Sequence, residues 1–289
     1  MTNLIKFTLF LSILGIMSNC SSTQKSTNED WNVLFDGSNL ENWDTYLGPK
    51  HIPGADQNIE KQLPPGLNND TANVFSIVTL DGEKVLRISG EIWGGIQSKQ
   101  EFKNYHLQLQ FKWGQLKWYP RNKEADKRDS GILYHSVGKH GKADLFWLKS
   151  QEFQIQEGDC GDYWGVAGAL CNIRAYLNAD STYQYDPAGD LLTFSEKSET
   201  GRHCKKYPDA ENPAGEWNTI DLYCFEGTSY HVVNGILTMI LQNSRHTVNN
   251  KEVPLIQGKI QIQSESAEVF YRGIKIQPIN KLPFYAKEV

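Results

Sequence analysis

Apolar and polar residues alternate with period two along much of the chain. Tyr105–Trp113 and Glu152-Phe-Gln-Ile-Gln156 each set apolar side chains on one face and polar ones on the other. The pattern returns in Trp217–Phe225, Gly258–Gln263 and Val269–Ile276. Clusters of Gly, Asn, Asp and Pro separate these runs, and Asn234-Gly235 predicts a two-residue hairpin turn whose central positions need positive φ. Helical periodicity is sustained nowhere for ten residues. Antiparallel strands with one wet face close naturally into two stacked sheets. The predicted fold class is therefore all-β, a two-sheet antiparallel β-sandwich with long loops. Leu47–Asn73, Trp118–Asp129 and Asp180–Pro213 break the strand rhythm. Such loops on a rigid sandwich are where binding usually resides.

The first thirty residues follow another pattern. Lys6 precedes an apolar run, Phe7–Met17, and Cys20 closes it. The run is too short to span a bilayer and reads as a signal peptide over residues 1–20. Cys20 is the expected lipidation site, although Met17 and Asn19 stand where a lipobox usually has Leu and a small Gly or Ala. An ordinary secretory signal is the alternative. Residues 21–30 read as a polar tether, and 31–289 as a single domain. The expected location is the bacterial cell envelope, with membrane contact only through the lipid anchor.

Charge and cysteines fit that setting. The net charge is -5, and no Lys/Arg stripe exists that could neutralise a phosphate backbone, which argues against nucleic acid as a partner. Cys160, Cys171, Cys204 and Cys224 are an even set, permitting two disulfides in an oxidising compartment. No CxxC spacing suggests zinc.

Candidate chemistry concentrates around one strand. Glu152, Gln154 and Gln156 share a polar face, where a partly desolvated Glu has its pKa raised toward a useful acid or base. His135 and His231 lie on strands and are read either as bases near neutral pH or as hydrogen-bonded structural residues. Glu157 and Asp159 lie in a Gly-rich acidic turn and form a candidate site for a divalent cation such as Ca²⁺. An acidic turn in solvent is the plainer reading. Eight Trp and thirteen Tyr supply rings on which sugar C–H faces can stack, with Trp93, Trp113 and Trp164 among the candidates. Trp31 and Trp217 read as sheet packing.

Ordered segments then carry a family resemblance. Leu34-Phe-Asp-Gly-Ser-Asn-Leu-Glu-Asn-Trp43, Asp129-Ser-Gly-Ile-Leu-Tyr-His135, Glu152-Phe-Gln-Ile155 and Gly215-Glu-Trp-Asn-Thr219 come first. Val233-Asn-Gly235 and Gly258–Gln263 through Tyr271-Arg-Gly-Ile274 follow. In this order they resemble the 3-keto-disaccharide hydrolase domain family of exported bacterial proteins. The resemblance implies a concanavalin-like (LamG-like) jelly roll and a carbohydrate partner. It also implies action on glycosides whose ring carbon 3 is a ketone. That ketone acidifies the C2 proton, so a base removes it and the enolate expels the C1 substituent, with or without later addition of water. On this reading Glu152 and His135 are catalytic, and Gln154, Arg272, Trp93, Trp113, Trp164 and His231 bind substrate. His135 falls where many members carry Arg. A divalent cation is a candidate electrophile. Two rival readings are a non-catalytic carbohydrate-binding lipoprotein and a two-carboxylate glycosidase. The latter would need a second acid near Glu152, where the strand offers only Gln154 and Gln156.

Overall fold

A computed structural model describes Met1 and residues 31–285. The expected signal peptide, Cys20 and the tether lie outside the described residues. From Trp31 onward the chain is one compact unit. Among the described residues the only helix is the short 3₁₀ segment Asp56–Lys61, inside the predicted loop Leu47–Asn73.

The strands form a twelve-stranded and an eight-stranded sheet, and all pairings between them are antiparallel. This is the predicted two-sheet sandwich. Period two decides which face each sheet buries. In the large sheet, Tyr105–Lys117 turns Leu107, Leu109, Phe111 and Trp113 inward, and Ile220, Leu222, Val269 and Tyr271 join them. The small sheet answers with Ile96, Ile132, Phe153, Ile155 and Ile262. These meet in one core. A second, smaller core gathers Tyr163, Cys171, Ile173, Phe194, Cys204 and Met239. The hairpin falls at Asn234-Gly235 as expected, with φ of 50° and 79°.

The four cysteines are buried free thiols, so the disulfides the even count allowed are not formed. Burial among apolar side chains pushes Cys171 and Cys224 up to about 12, far from reactive thiolates.

Facing away from the core, the small sheet carries a polar floor. Its strands run in the order His203–Cys204, Tyr163–Val166, Lys149–Gln156, Asp129–Val137, Lys259–Ser264 and Gly94–Ser98. Directly opposed residues share a face. Pairing of Trp164 with both His203 and Glu152 sets three side chains in one row, which continues through Leu133, Gln261 and Gln97. The neighbouring row contains Gln154, Gly131, Gln263 and Gly95.

Candidate active site

Glu152 is 5% exposed, although its strand turns Phe153 and Ile155 into the core on the other side. Burial raises its pKa, and the nearby charge of Glu265 raises it further. Arg202, Gln263 and Arg121 oppose that rise, and the result is about 8. Glu265 itself is pushed up by burial and drawn down by Arg121. Both buried carboxyls are thus shifted toward neutral pH.

Arg121 organises the upper side of this pair. It reaches from the charged loop Trp118–Asp129 to Asp129 and, at 2.9 Å, to Glu265, with its guanidinium 5.5 Å from the ring of Trp93. Lys117 holds that loop by donating to the carbonyls of Lys123, Glu124 and Asp126. The loop is thus a built part of the site rather than solvated decoration.

The Ser130-Gly131 pair has a physical reason here. A Cβ on Gly131 would overlap both Glu152 Oε1 and Gln263 Oε1, so only glycine leaves room for the two groups side by side. Ser130 points the other way, donating to the Gln263 carbonyl and meeting the Tyr271 hydroxyl at 2.7 Å. Three buried acceptors on this floor have no hydrogen-bond partner: Asp129 Oδ1, Gln154 Oε1 and Gln263 Oε1. Buried polar atoms normally find partners. Acceptors left open together suit a ligand rich in hydroxyl donors.

Aromatic walls stand on both sides. Trp164 is half-buried beside Glu152, stacked on His203 at 4.2 Å, with the Arg202 guanidinium 5.1 Å from its ring. On the far side Trp93 stacks on Trp147 at 5.7 Å and packs against His51 and Phe146. Four strand intervals of ~4.8 Å separate the Trp164 strand from the Gly94–Ser98 strand that follows Trp93, so the walls lie roughly 19 Å apart.

Of the residues proposed from sequence, Glu152, Gln154, Trp93 and Trp164 come together here. The others do not. His135 lies in a bulge between Tyr134 and Val137, with φ of 53°. The extra residue re-aims its ring into the core against Tyr105 and Tyr134, where burial lowers it to about 4. His231 is also a core residue. It stacks on Phe153 at 4.3 Å between the Tyr134 hydroxyl and the Gly161 carbonyl, and burial lowers it to about 3. Trp113 is buried in the core. Arg272 sits on the outer face of the large sheet, because it pairs with Gln110 of a strand whose odd-numbered residues face inward. There it binds Glu83 and stacks over Trp217 at 4.0 Å, beside a cavity of about 620 Å³ on the opposite side of the sandwich from Glu152. That cavity has none of the orphaned acceptors. Glu157 and Asp159 are each taken by a cation, Arg128 at 2.9 Å and Lys127 at 2.5 Å. Among the described residues no three His, Cys, Asp or Glu side chains are grouped to hold a metal ion. The proposed cation pair is therefore a pair of salt bridges in an acidic turn.

The two core histidines make a pH expectation. Both are neutral when folded, while an unfolded chain protonates them near 6.5. Folded values below unfolded ones mean full stability above pH ~6.5, lost as pH falls toward ~4. Compared with wild type, His135→Asn, which tolerates positive φ, gains relative stability as pH falls from 7 to 5, read as the difference between the two urea midpoints.

Sequence reasoning missed Glu265, Asp129, Arg121, Arg202 and Gln263. Asp129 and Gln263 lie in the segments Asp129–His135 and Gly258–Gln263 without a site role being read there, and the other three lie in no motif. Gln263 was visible in the alternating Gly258–Gln263 strand, but its neighbour Gly131 is known only from the register.

A family model described as the 3-keto-alpha-glucoside-1,2-lyase-like domain matches residues 30–277. The chain belongs to this family. Membership places it among proteins that act on glycosides. No curated protein sequence matches the chain. Similar solved structures include a Parabacteroides distasonis protein provisionally titled a glycosyl hydrolase. It is 15% identical, with 86% of this chain and 94% of that chain covered and a TM-score of 0.48. A second protein of that organism with the same provisional title is 18% identical, covering 86% and 99%, at 0.45. The carbohydrate-binding module CBM66 of Bacillus subtilis is 7% identical, covering 70% and 91%, at 0.39.

Proposed function

We propose that this protein is an enzyme cleaving 3-keto-glycosides by removal of the C2 proton and expulsion of the C1 substituent. The observation that carries the reading is the buried Glu152, raised to about 8 beside Glu265 and bordered by Arg121 and Arg202. A carboxylate poised close to neutral pH is an efficient base for a C–H acidified by a neighbouring ketone. Glu152 takes the C2 proton. The Arg121 guanidinium and the Gln263 amide lie beside the carboxyls, where they can stabilise charge growing on the 3-oxygen. The orphaned acceptors Asp129 Oδ1, Gln154 Oε1 and Gln263 Oε1 take hydroxyls of the sugar, and Trp93 and Trp164 border this floor on either side. The export signal and Cys20 anchor remain part of the proposal, placing this reaction in the cell envelope.

Glu265 favours one alternative, since it supplies the second acid that a hydrolytic glycosidase requires. The two readings part on substrate. Incubation with a 3-keto-disaccharide and with its unoxidised parent, followed by chromatography, is expected to release monosaccharide from the oxidised sugar alone. Cleavage of the parent at a similar rate would favour the glycosidase, and binding without turnover of either sugar would leave a carbohydrate-binding protein. His135→Asn is expected to keep turnover within about threefold, because the ring lies in the core.

A further inference from the structure

Removal of the C2 proton leaves half of the cleavage unexplained, since the departing C1 oxygen must gain a proton. The sequence patterns single out no group for this, and His203 falls in the Asp180–Pro213 segment between strands. In the structure it lies on the two-residue strand His203–Cys204 at the edge of the small sheet, in the same row as Glu152 with Trp164 between them. Its Nε2 meets Asp162 Oδ2 at 2.8 Å. The Asp162 side chain is 3% exposed, and its other oxygen accepts the Lys206 backbone N–H. The imidazole lies flat on Trp164 at 4.2 Å and is 27% exposed. A buried carboxylate thus fixes one ring nitrogen, the indole fixes the plane, and Nδ1 has no hydrogen-bond partner among the described residues. A carboxylate holding one nitrogen while the other handles a proton is a recurrent arrangement for acid–base histidines.

Spacing agrees with that use. Two strand intervals of ~4.8 Å put the backbones of His203 and Glu152 roughly 9.6 Å apart. Trp164 stands between them, so a sugar ring spanning that distance, with a contact of ~3 Å at either end, would lie across the edge of the indole.

Resting on the elimination reading above, we propose that His203, held by Asp162, is the catalytic acid that protonates the departing glycosidic oxygen. In balance, the C2 hydrogen passes to Glu152 as a proton, and the C2–H electron pair forms the C1=C2 bond through the enolate. The C1–O bond breaks, its pair stays on oxygen, and that oxygen takes the proton from His203. No oxidant or reductant is needed.

The test uses His203→Gln, whose amide can still donate to Asp162, assayed on two 3-keto-glucosides. One has a sugar alcohol as leaving group, the other 4-nitrophenol, which departs without a proton. The expected result is a loss of about 10²–10⁴-fold in kcat for the sugar alcohol and less than tenfold for nitrophenol. Asp162→Asn follows the same pattern with a smaller loss. Equal losses on both substrates, or no loss on either, overturn the proposal. Failure of the elimination reading is distinct from both, because the wild-type protein would then form no enone from either substrate.

Discussion

Glu152→Gln removes turnover of a 3-keto-disaccharide by at least about 10³-fold while the protein becomes more resistant to heat at pH 8. Both effects come from one carboxyl. The amide keeps the shape of Glu152 next to Gly131 and Gln263 but has no basic oxygen for the C2 proton. The stability gain follows from linkage. Glu152 is held near 8 in the folded protein against 4.5 in its ordinary state. A raised folded value contributes stability that is complete below pH ~4.5 and is lost as pH rises through about 8. This contribution therefore fades across that window, with a sign opposite to that of the two core histidines, and the Gln variant escapes the loss. At pH 8 the variant is expected to melt a few degrees higher, and near pH 4.5 the two should converge. Initial rates and scanning calorimetry on the same preparations check both halves. A variant that loses activity and also melts lower at pH 8 would show Glu152 to be a structural residue.

Gly131→Ala has the second largest expected effect, about a 10²-fold loss in kcat with little loss of stability. The added methyl would overlap Glu152 Oε1 and Gln263 Oε1, both side-chain termini, and no backbone atom is among its nearest neighbours. The backbone there is regular antiparallel strand, so alanine fits the chain and only the functional groups must give way. A shift of ~1 Å at a reacting group is enough for a loss of that size. Circular dichroism and urea unfolding should match wild type within about 1 kcal/mol. A fully active Gly131→Ala protein would mean that the neighbourhood of Glu152 and Gln263 is not where substrate reacts.

The fold was legible because period two is a local property. Residues 152–156 and 258–263 declare their buried and wet faces without reference to any partner, and Asn234-Gly235 declares its turn. The site was legible only where a residue lay on such a strand, as Glu152 and Gln154 do. Glu265 follows the end of the Lys259–Ser264 strand, and Arg121 comes from a loop seven residues before Arg128. Both reach the floor through tertiary pairing that no local pattern encodes. His135 shows the converse error. Alternation from Gly131 and Leu133 would put it on the polar face, and a single bulged residue sends it to the core. Arg272 fails for a different reason, since its strand was recognised correctly but belongs to the other sheet. His203 was overlooked because its strand is two residues long, and its importance comes from Asp162, forty-one positions earlier in sequence.

The central claim is that cleavage begins with proton removal from C2 of an oxidised sugar by Glu152. Its most direct test is kcat/KM for a 3-keto-disaccharide carrying deuterium at C2 against the same substrate carrying hydrogen, with formation of the enone followed by absorbance. Slower cleavage of the deuterated sugar, an enone product, and loss of both signals in Glu152→Gln are predicted. Equal rates for the two isotopologues, together with cleavage of the unoxidised disaccharide, would contradict it.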